Sequence, residues 1–262
     1  RYPGTAVLGV EAAWRTGTGM VRYLGPARAQ DLVLQRRPET VTADGRVQAW
    51  VIGSGTDAAE RDAAETAALR GILSGGVPVV ADAGALDLVP AAAAPVIVTP
   101  HSRELAKLRA ALGLDAVDAA DDDERERVAA ETAEALGAVV LSKGAVTIVA
   151  APGGWARRIS TGTPWLATAG TGDVLGGVLG AVVAGAAARA GVELPAVGVA
   201  LVEQLGGGAQ AVAGQAIVVL GGEAGGAADL VDVVLVGRRI AGAGQLLAGE
   251  QVGERIDAGI AG

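Results

Sequence analysis

The chain has 262 residues, of which 21 are basic and 29 acidic, for a formal net charge of −8, and about half are apolar. That length buries a large core and fits one sizeable α/β domain or two small ones, while the acidic balance argues against a general nucleic-acid or anionic-membrane binder and leaves room only for a local basic phosphate site. There is no cysteine and a single histidine, His101, which excludes disulfides, thiolate chemistry, Fe–S clusters and Cys- or multi-His metal sites, so any metal is a hard cation held by oxygen, through phosphates.

Residues 5–15 carry apolar side chains at helical spacing and end at Gly17-Thr18-Gly19. Residues 20–24 read as a short strand stopped by Gly25-Pro26, and 27–35 as a second helix. Residues 48–52 form a strand running into Gly53-Ser54-Gly55, followed by a long helix over 58–73. Strands at 77–81 and 95–98 end at Asp82 and at Thr99-Pro100-His101. Helices over 103–112 and 121–136 follow, the second with a charged run (Asp121, Asp122, Glu124, Arg125, Arg127) that reads as solvated surface without functional weight. Residues 138–142 and 147–150 make a strand pair around Lys143-Gly144, and 153–168 read as a loop rich in Gly, Thr and Pro. The run Gly170-Thr171-Gly172-Asp173 then opens a long apolar helix, too short and too rich in Gly and Ala for a secure membrane span, so a buried helix explains it better.

Short apolar strands alternating with helices predict an α/β fold, a largely parallel central sheet with helices on both faces. No linker or repeat is visible, so a single domain over 1–262 is expected, with helices beyond about residue 206 where Gly, Ala and Val mix at weak periodicity. No signal peptide is visible and a cytoplasmic location is expected; the opening Arg1-Tyr2-Pro3-Gly4 lacks an initiating Met, so further residues are expected before it.

The placement of the polar residues is the informative pattern. Gly53 and Gly55, Asp82, His101 and Glu104, and Lys143 and Gly144 all lie just after an apolar strand. In an open parallel sheet, ligands bind in the crevice beyond the carboxyl ends of the strands. Glycines ahead of a helix let its first N–H groups approach a phosphate, and the helix dipole favours negative charge there. Asp173 is thus either a base beside an anion hole or a helix-capping carboxylate; capping alone requires neither the flanking glycines nor so apolar a helix. Lys143 reads equally as a turn lysine, and His101 as a helix-opening residue. Glu104 either caps that helix or helps order a hydrated cation, Asp82 binds substrate or ends a strand, and Gly53-Ser54-Gly55 alone is a weak signal. Walker, Rossmann and G-x-S-x-G motifs are absent.

Taken together, these segments resemble one family. Gly170-Thr171-Gly172-Asp173-Val174-Leu175-Gly176-Gly177 is similar to the GTGDVLAG signature of ADP/ATP-dependent NAD(P)H-hydrate dehydratases. Thr99 to Glu104 resembles that family's TPHPGE, Val79 to Leu86 its VVLDADAL, Ser142 to Thr147 its LKGxxT, and Val51 to Gly55 its GPGL turn. The start, Tyr2 to Leu8 with Gly17 to Val21, is similar to its first helix and following strand, so the resemblance covers about residues 1–205.

The resemblance implies a ribokinase-like fold and repair of NADH or NADPH hydrated at C6 of the nicotinamide ring, with ADP or ATP as phosphoryl donor and Mg²⁺ as cofactor. It implies that Asp173 is the base, that Gly170, Thr171 and Gly172 form the anion hole, and that Lys143, Gly144 and Thr147 lie in the nucleotide region with Gly172. It further implies that Thr5, Gly55 and His101 contact the hydrated dinucleotide and that Glu104 holds Mg²⁺ through water. Relatives commonly form homotetramers, often with an epimerase domain fused ahead. This sequence departs from the family in lacking the strand before Tyr2, in Ser102-Arg103 for Pro-Gly, in Thr5 for a small Ala, and in Glu203-Gln204-Leu205-Gly206 where a His-Gly pair is usual. Two other readings share many of these features: a vitamin or hydroxymethyl kinase, which would release a stable phosphate ester, and a non-catalytic nucleotide-binding module.

Overall fold

The computed structural model describes residues 2–117 and 119–188; the tail where helices are expected, and the stretch from Glu203 to Gly206, lie outside the described residues. Helix α1 (Pro3–Arg15) opens on a proline, whose fixed φ suits a first helical position, and ends with Arg15 near its negative pole. Helix α2 spans Ala27–Arg36 and strand β1 Trp50–Ile52. Helix α3 (Ala63–Leu73) starts five residues later than its apolar spacing suggests, because the Asp62 carboxylate accepts from the Glu65 N–H and fixes the start there. Strand β2 (Val79–Ala81), a 3-10 helix (Ala83–Ala91) and strand β3 (Val96–Val98) follow. Next come α4 (Ser102–Ala111) and α5 (Asp122–Leu136), the latter capped by Asp121 and stopped by Gly137 at φ 65°. Strands β4 (Val139–Ser142), β5 (Thr147–Ala151) and β6 (Trp155–Ile159), a short 3-10 turn (Pro164–Leu166) and α6 (Thr171–Ala188) complete the described chain.

The six strands form one sheet in chain order, β1 to β4 parallel and β5 and β6 antiparallel. Because the parallel strands advance in one direction, right-handed crossovers place all their connections on one face. There Val79, Ala81, Val98, Val140 and Ile148 pack on Leu73, Leu86, Leu105 and Val128. The alternate residues Val80, Ile97, Val139, Leu141 and Val149 turn the other way and meet Leu179 and Val183 of α6. The strands are therefore apolar on both sides, as a covered parallel sheet requires, and each fully buried aliphatic side chain contributes about 1.5–3 kcal/mol.

Helix α1 packs on the far side of α6, with Ala12 against Val178. Their backbones touch: a Cβ on Gly177 would stand 2.2 Å from the Gly9 carbonyl oxygen. The length and mean hydropathy of α6 (18 residues, 1.5) would suit a membrane span; here the helix lies against β1, β2 and α1, with 39% of it buried among the described residues.

Two sequence expectations fail. Residues 20–24 make only a single bridge, Arg22 to Val41, because Gly25-Pro26 follows at once and the partner segment is itself a loop. The expected loop over 153–168 contains β6 and a 3-10 turn. Strand β6 borders the sheet and exposes Arg157 and Arg158, so it carries no apolar run to betray it.

Candidate active site

The ends of β1, β2, β3 and β4 lie side by side along one rim of the sheet. At the end of β1, Gly53 adopts φ 93°, and a Cβ there would overlap the Asp82 carbonyl oxygen at 1.9 Å, so only glycine lets the two strand ends meet. Two residues on, Gly55 (φ 74°) packs against Thr5 of α1, whose Oγ1 would be 2.1 Å from an added Cβ. The Thr5 hydroxyl itself donates to the Tyr2 carbonyl at 2.8 Å.

Beyond β3 and β4 the parallel pairing continues by one more bridge, His101 to Lys143, with the Lys143 N–H donating to the Pro100 carbonyl at 2.8 Å. This sets Lys143 beside Asp82. The ammonium donates to Asp82 Oδ1 at 2.7 Å and lies 3.9 Å from Glu104 Oε2. The Asp82 side chain is only 6% exposed, and a carboxylate so buried needs a partner of this kind. His101 caps α4: Nδ1 accepts from the N–H groups of Arg103 (3.2 Å) and Glu104 (3.4 Å), while the His101 N–H donates to Glu104 Oε2 at 2.9 Å. An accepting Nδ1 places the ring proton on Nε2, which stands 3.4 Å from Glu104 Oε1. The capping roles foreseen as alternatives for His101 and Glu104 are thus real, and they orient both side chains toward the rim.

The amino end of α6 arrives from the opposite face. Gly170 turns at φ 92° with the Leu8 side chain close against it, and the Thr168 and Thr171 hydroxyls share a hydrogen bond of 3.1 Å. Gly172 faces the ion pair: a Cβ there would lie 3.6 Å from Lys143 Nζ and 3.7 Å from Asp82 Oδ2. Asp173 occupies the first turn. Burial first, and then the negative charge of Asp82, push its carboxyl above the ordinary aspartate value, while Lys143 pulls it back in part. Among the described residues no hydrogen bond engages the Asp173 carboxylate, so it is not serving as a helix cap.

The predicted residues fall into two connected groups. Gly172, Asp173 and Glu104 gather around the Asp82–Lys143 ion pair, with His101 held against Glu104, and Thr5 with Gly55 forms a second contact bridged to the first by Leu8 against Gly170. Gly144 begins the bend between β4 and β5, and Thr147 opens β5 opposite Ile159. The partnership of Asp82 with Lys143 was not legible, since 61 residues separate them. Opposite charges at the ends of strands on the same rim were the only sequence signal. Arg125, assigned to solvated surface by its charge run, is instead half-buried: it donates to the Val146 carbonyl in the bend at 2.8 Å and to Asp122 at 2.7 Å. An apolar hollow lined by Leu24, Trp50, Ala68 and Ile72 lies beside β1 and α3 and includes none of these residues.

Among the described residues no group of three His, Asp or Glu side chains forms a cage for a metal ion. The oxygen donors at hand, Asp82 Oδ2 and Glu104, suit a hard cation whose remaining ligands are water and phosphate.

The sequence profile of NAD(P)H-hydrate dehydratase matches residues 1–212. The chain is 43% identical over 195 residues to the bifunctional NAD(P)H-hydrate repair enzyme Nnr of Mycobacterium tuberculosis, covering 70% of this chain and 38% of that protein. It therefore spans about two fifths of the length of such relatives. It is 33% identical over 200 residues to the ADP-dependent (S)-NAD(P)H-hydrate dehydratase of Neisseria meningitidis, covering 69% of this chain and 65% of that protein. Among solved structures, the ADP/ATP-dependent NAD(P)H-hydrate dehydratase of Bacillus subtilis, co-crystallised with ATP/Mg²⁺, superposes with a TM-score of 0.60 at 28% identity, over 70% of this chain and 68% of that one. A ribokinase-like superfamily protein of Enterococcus faecalis shares the fold, with a TM-score of 0.56.

Proposed function

Because the chain belongs to the NAD(P)H-hydrate dehydratase family, we propose that it restores NADH and NADPH from their hydrates, taking the phosphoryl group from ADP or ATP. One observation carries the reading. The Asp173 carboxylate is free of hydrogen bonds among the described residues, is made more basic by burial and by Asp82, and sits at a helix amino terminus within reach of Lys143.

In this reading Asp173 takes the proton from the C6 hydroxyl of the hydrated ring. The freed oxygen attacks the terminal phosphorus of the nucleotide, and the bond from that phosphorus to its bridging oxygen breaks. The ring nitrogen lone pair then expels phosphate as the C6–O bond of the ester breaks, a proton leaves C5, and the C5–C6 double bond of the reduced nicotinamide is restored. Phosphoryl transfer asks the protein for positioning and charge stabilisation. Gly170, Thr171 and Gly172 form the anion hole, and Lys143 supplies the counter-charge. The nucleotide lies toward Lys143, Gly144 and Thr147, and the hydrate toward Thr5, Gly55 and His101. Glu104 would hold Mg²⁺ through water, and a bound cation would neutralise phosphate charge. The ADP-dependent name of the Neisseria relative supports ADP as donor. By the same reading the enzyme is cytoplasmic, acts as a homotetramer, and has an epimerase domain or partner.

The test is Asp173→Asn, assayed by the return of reduced-nicotinamide absorbance from hydrate and ADP. Turnover should fall ~10²- to 10⁴-fold, the worth of a positioned base, with nucleotide binding retained. Near-normal turnover would remove Asp173 from the chemistry. Accumulation of a stable phosphate ester by the wild type, without that absorbance, would assign the chain to small-molecule kinases.

A further inference from the structure

We propose that Arg125 of α5 is a positioning residue for the nucleotide, acting through the bend 144–146, and that residue 144 is glycine because the guanidinium takes the place of its side chain. The proposal rests on the nucleotide reading of Lys143, Gly144 and Thr147. Arg125 Nη1 donates to Asp122 at 2.7 Å on its own helix, and Nη2 donates to the Val146 carbonyl at 2.8 Å. A Cβ built on Gly144 would stand 2.3 Å from Nη2 and 3.1 Å from Cζ. Gly144 has no positive φ, so backbone conformation does not demand glycine there. The guanidinium does.

The geometry has a functional consequence. The bend joins Lys143, whose ammonium faces the amino end of α6, to Thr147, the first residue of β5. A three-residue bend without internal support samples several shapes, and each shape aims Lys143 and Thr147 differently. One planar, always-charged fork tied to Asp122 selects one of them, which the freely rotating ammonium of lysine cannot do. The closest obstructing atom is the end of a flexible side chain, with the Val146 carbonyl oxygen next at 3.1 Å, so a methyl group at 144 displaces the arginine first and presses on the carbonyl it holds.

Gly144→Ala should therefore reproduce the loss caused by Arg125→Ala. The experiment measures ADP affinity by titration calorimetry, and KM for ADP and for hydrate by turnover, in Arg125→Ala, Arg125→Lys, Gly144→Ala and the Arg125→Ala/Gly144→Ala double variant. We expect ADP binding to weaken about tenfold in either Ala variant, the worth of one charged hydrogen bond. The double variant should be no worse than either, Arg125→Lys should recover only a fraction, and in Arg125→Ala hydrate KM and kcat should stay within about twofold. Additive losses in the double variant, full recovery by lysine, or equal rises in both KM values would overturn the proposal, as would unchanged ADP affinity in Arg125→Ala. A wild type that binds no ADP would defeat the nucleotide reading itself, whereas ADP binding indifferent to residues 125 and 144 defeats the positioning role alone.

Discussion

Three glycines on one helix offer a graded test of how α1 and α6 are fitted together. At Gly177 an added methyl would meet the Gly9 carbonyl oxygen at 2.2 Å and Ala12 Cβ at 2.9 Å. The first obstacle is backbone and cannot rotate aside, so α1 must retreat by roughly 1 Å to restore contact distance. Overpacking of this kind costs about 3 kcal/mol at its upper end, and replacing glycine by alanine inside a helix returns about 1 kcal/mol, leaving a net loss of about 2 kcal/mol. At the neighbouring Gly176 the nearest atom is Val51 Cγ1 at 3.5 Å, an ordinary contact, so Gly176→Ala should stabilise by about 0.5–1 kcal/mol. Gly180 falls between, because the obstacle at 2.3 Å is the end of the Val51 side chain, on a strand that borders the sheet. Urea unfolding should separate Gly176→Ala and Gly177→Ala by about 1 M in midpoint, for a slope of about 2–3 kcal/mol per M. Turnover should follow the same order, since α1 carries Thr5 and Leu8 toward the end of α6 that bears Asp173, and a 1 Å misplacement costs about 10²-fold. Equal midpoints for the two variants would refute the close backbone contact and the alignment of the site built on it.

Three further outcomes follow from the charges. Asp82→Asn removes a negative neighbour of Asp173 and leaves Lys143 uncompensated; both changes make Asp173 more acidic, so the acid limb of the kcat profile should move to lower pH. Glu11, although burial opposes its charge, is held down to about 2 by Arg37 and Arg15, against an ordinary value of 4.5. A depressed carboxylate stabilises the fold above the ordinary value and loses that contribution as pH falls toward 2, so melting temperature should drop more steeply across that window in the wild type than in Glu11→Gln. Arg109, 2% exposed, donates to the Asp115 and Val128 carbonyls, Thr132 Oγ1 and Glu131. Arg109→Met should cost about 3 kcal/mol in denaturant unfolding while leaving ADP affinity unchanged.

What the sequence disclosed and what it hid follow a physical division. Helices α1, α2, α4 and α5 and the buried strands β1 to β5 announce themselves, because period-3.6 and continuous apolar patterns are the cost-free way to cover a sheet. Strand β6 was hidden because its exposed Arg157 and Arg158 break any apolar run. The 3-10 helix Ala83–Ala91 was hidden too, since it is as apolar as a strand or an α-helix and carries Pro90 within it. The approach of Gly172 and Asp173 to the strand ends was legible from glycines ahead of an apolar helix. Their neighbours were not: Asp82 finds Lys143, and Arg125 finds Val146, through tertiary contacts that spacing along the chain does not encode. Arg109 and Arg125 look alike as surface arginines in the sequence, yet one pins α4 to α5 and the other braces a bend.

The unbroken strand order has a metric meaning. Neighbouring strands stand about 4.8 Å apart, so the three gaps from β1 to β4 span roughly 14 Å. Gly55 marks one end of that ruler and Lys143 the other, and hydrogen-bonded main chain holds its length fixed. Two bound molecules laid along it would be gauged against each other by the architecture itself, whatever the side chains between them.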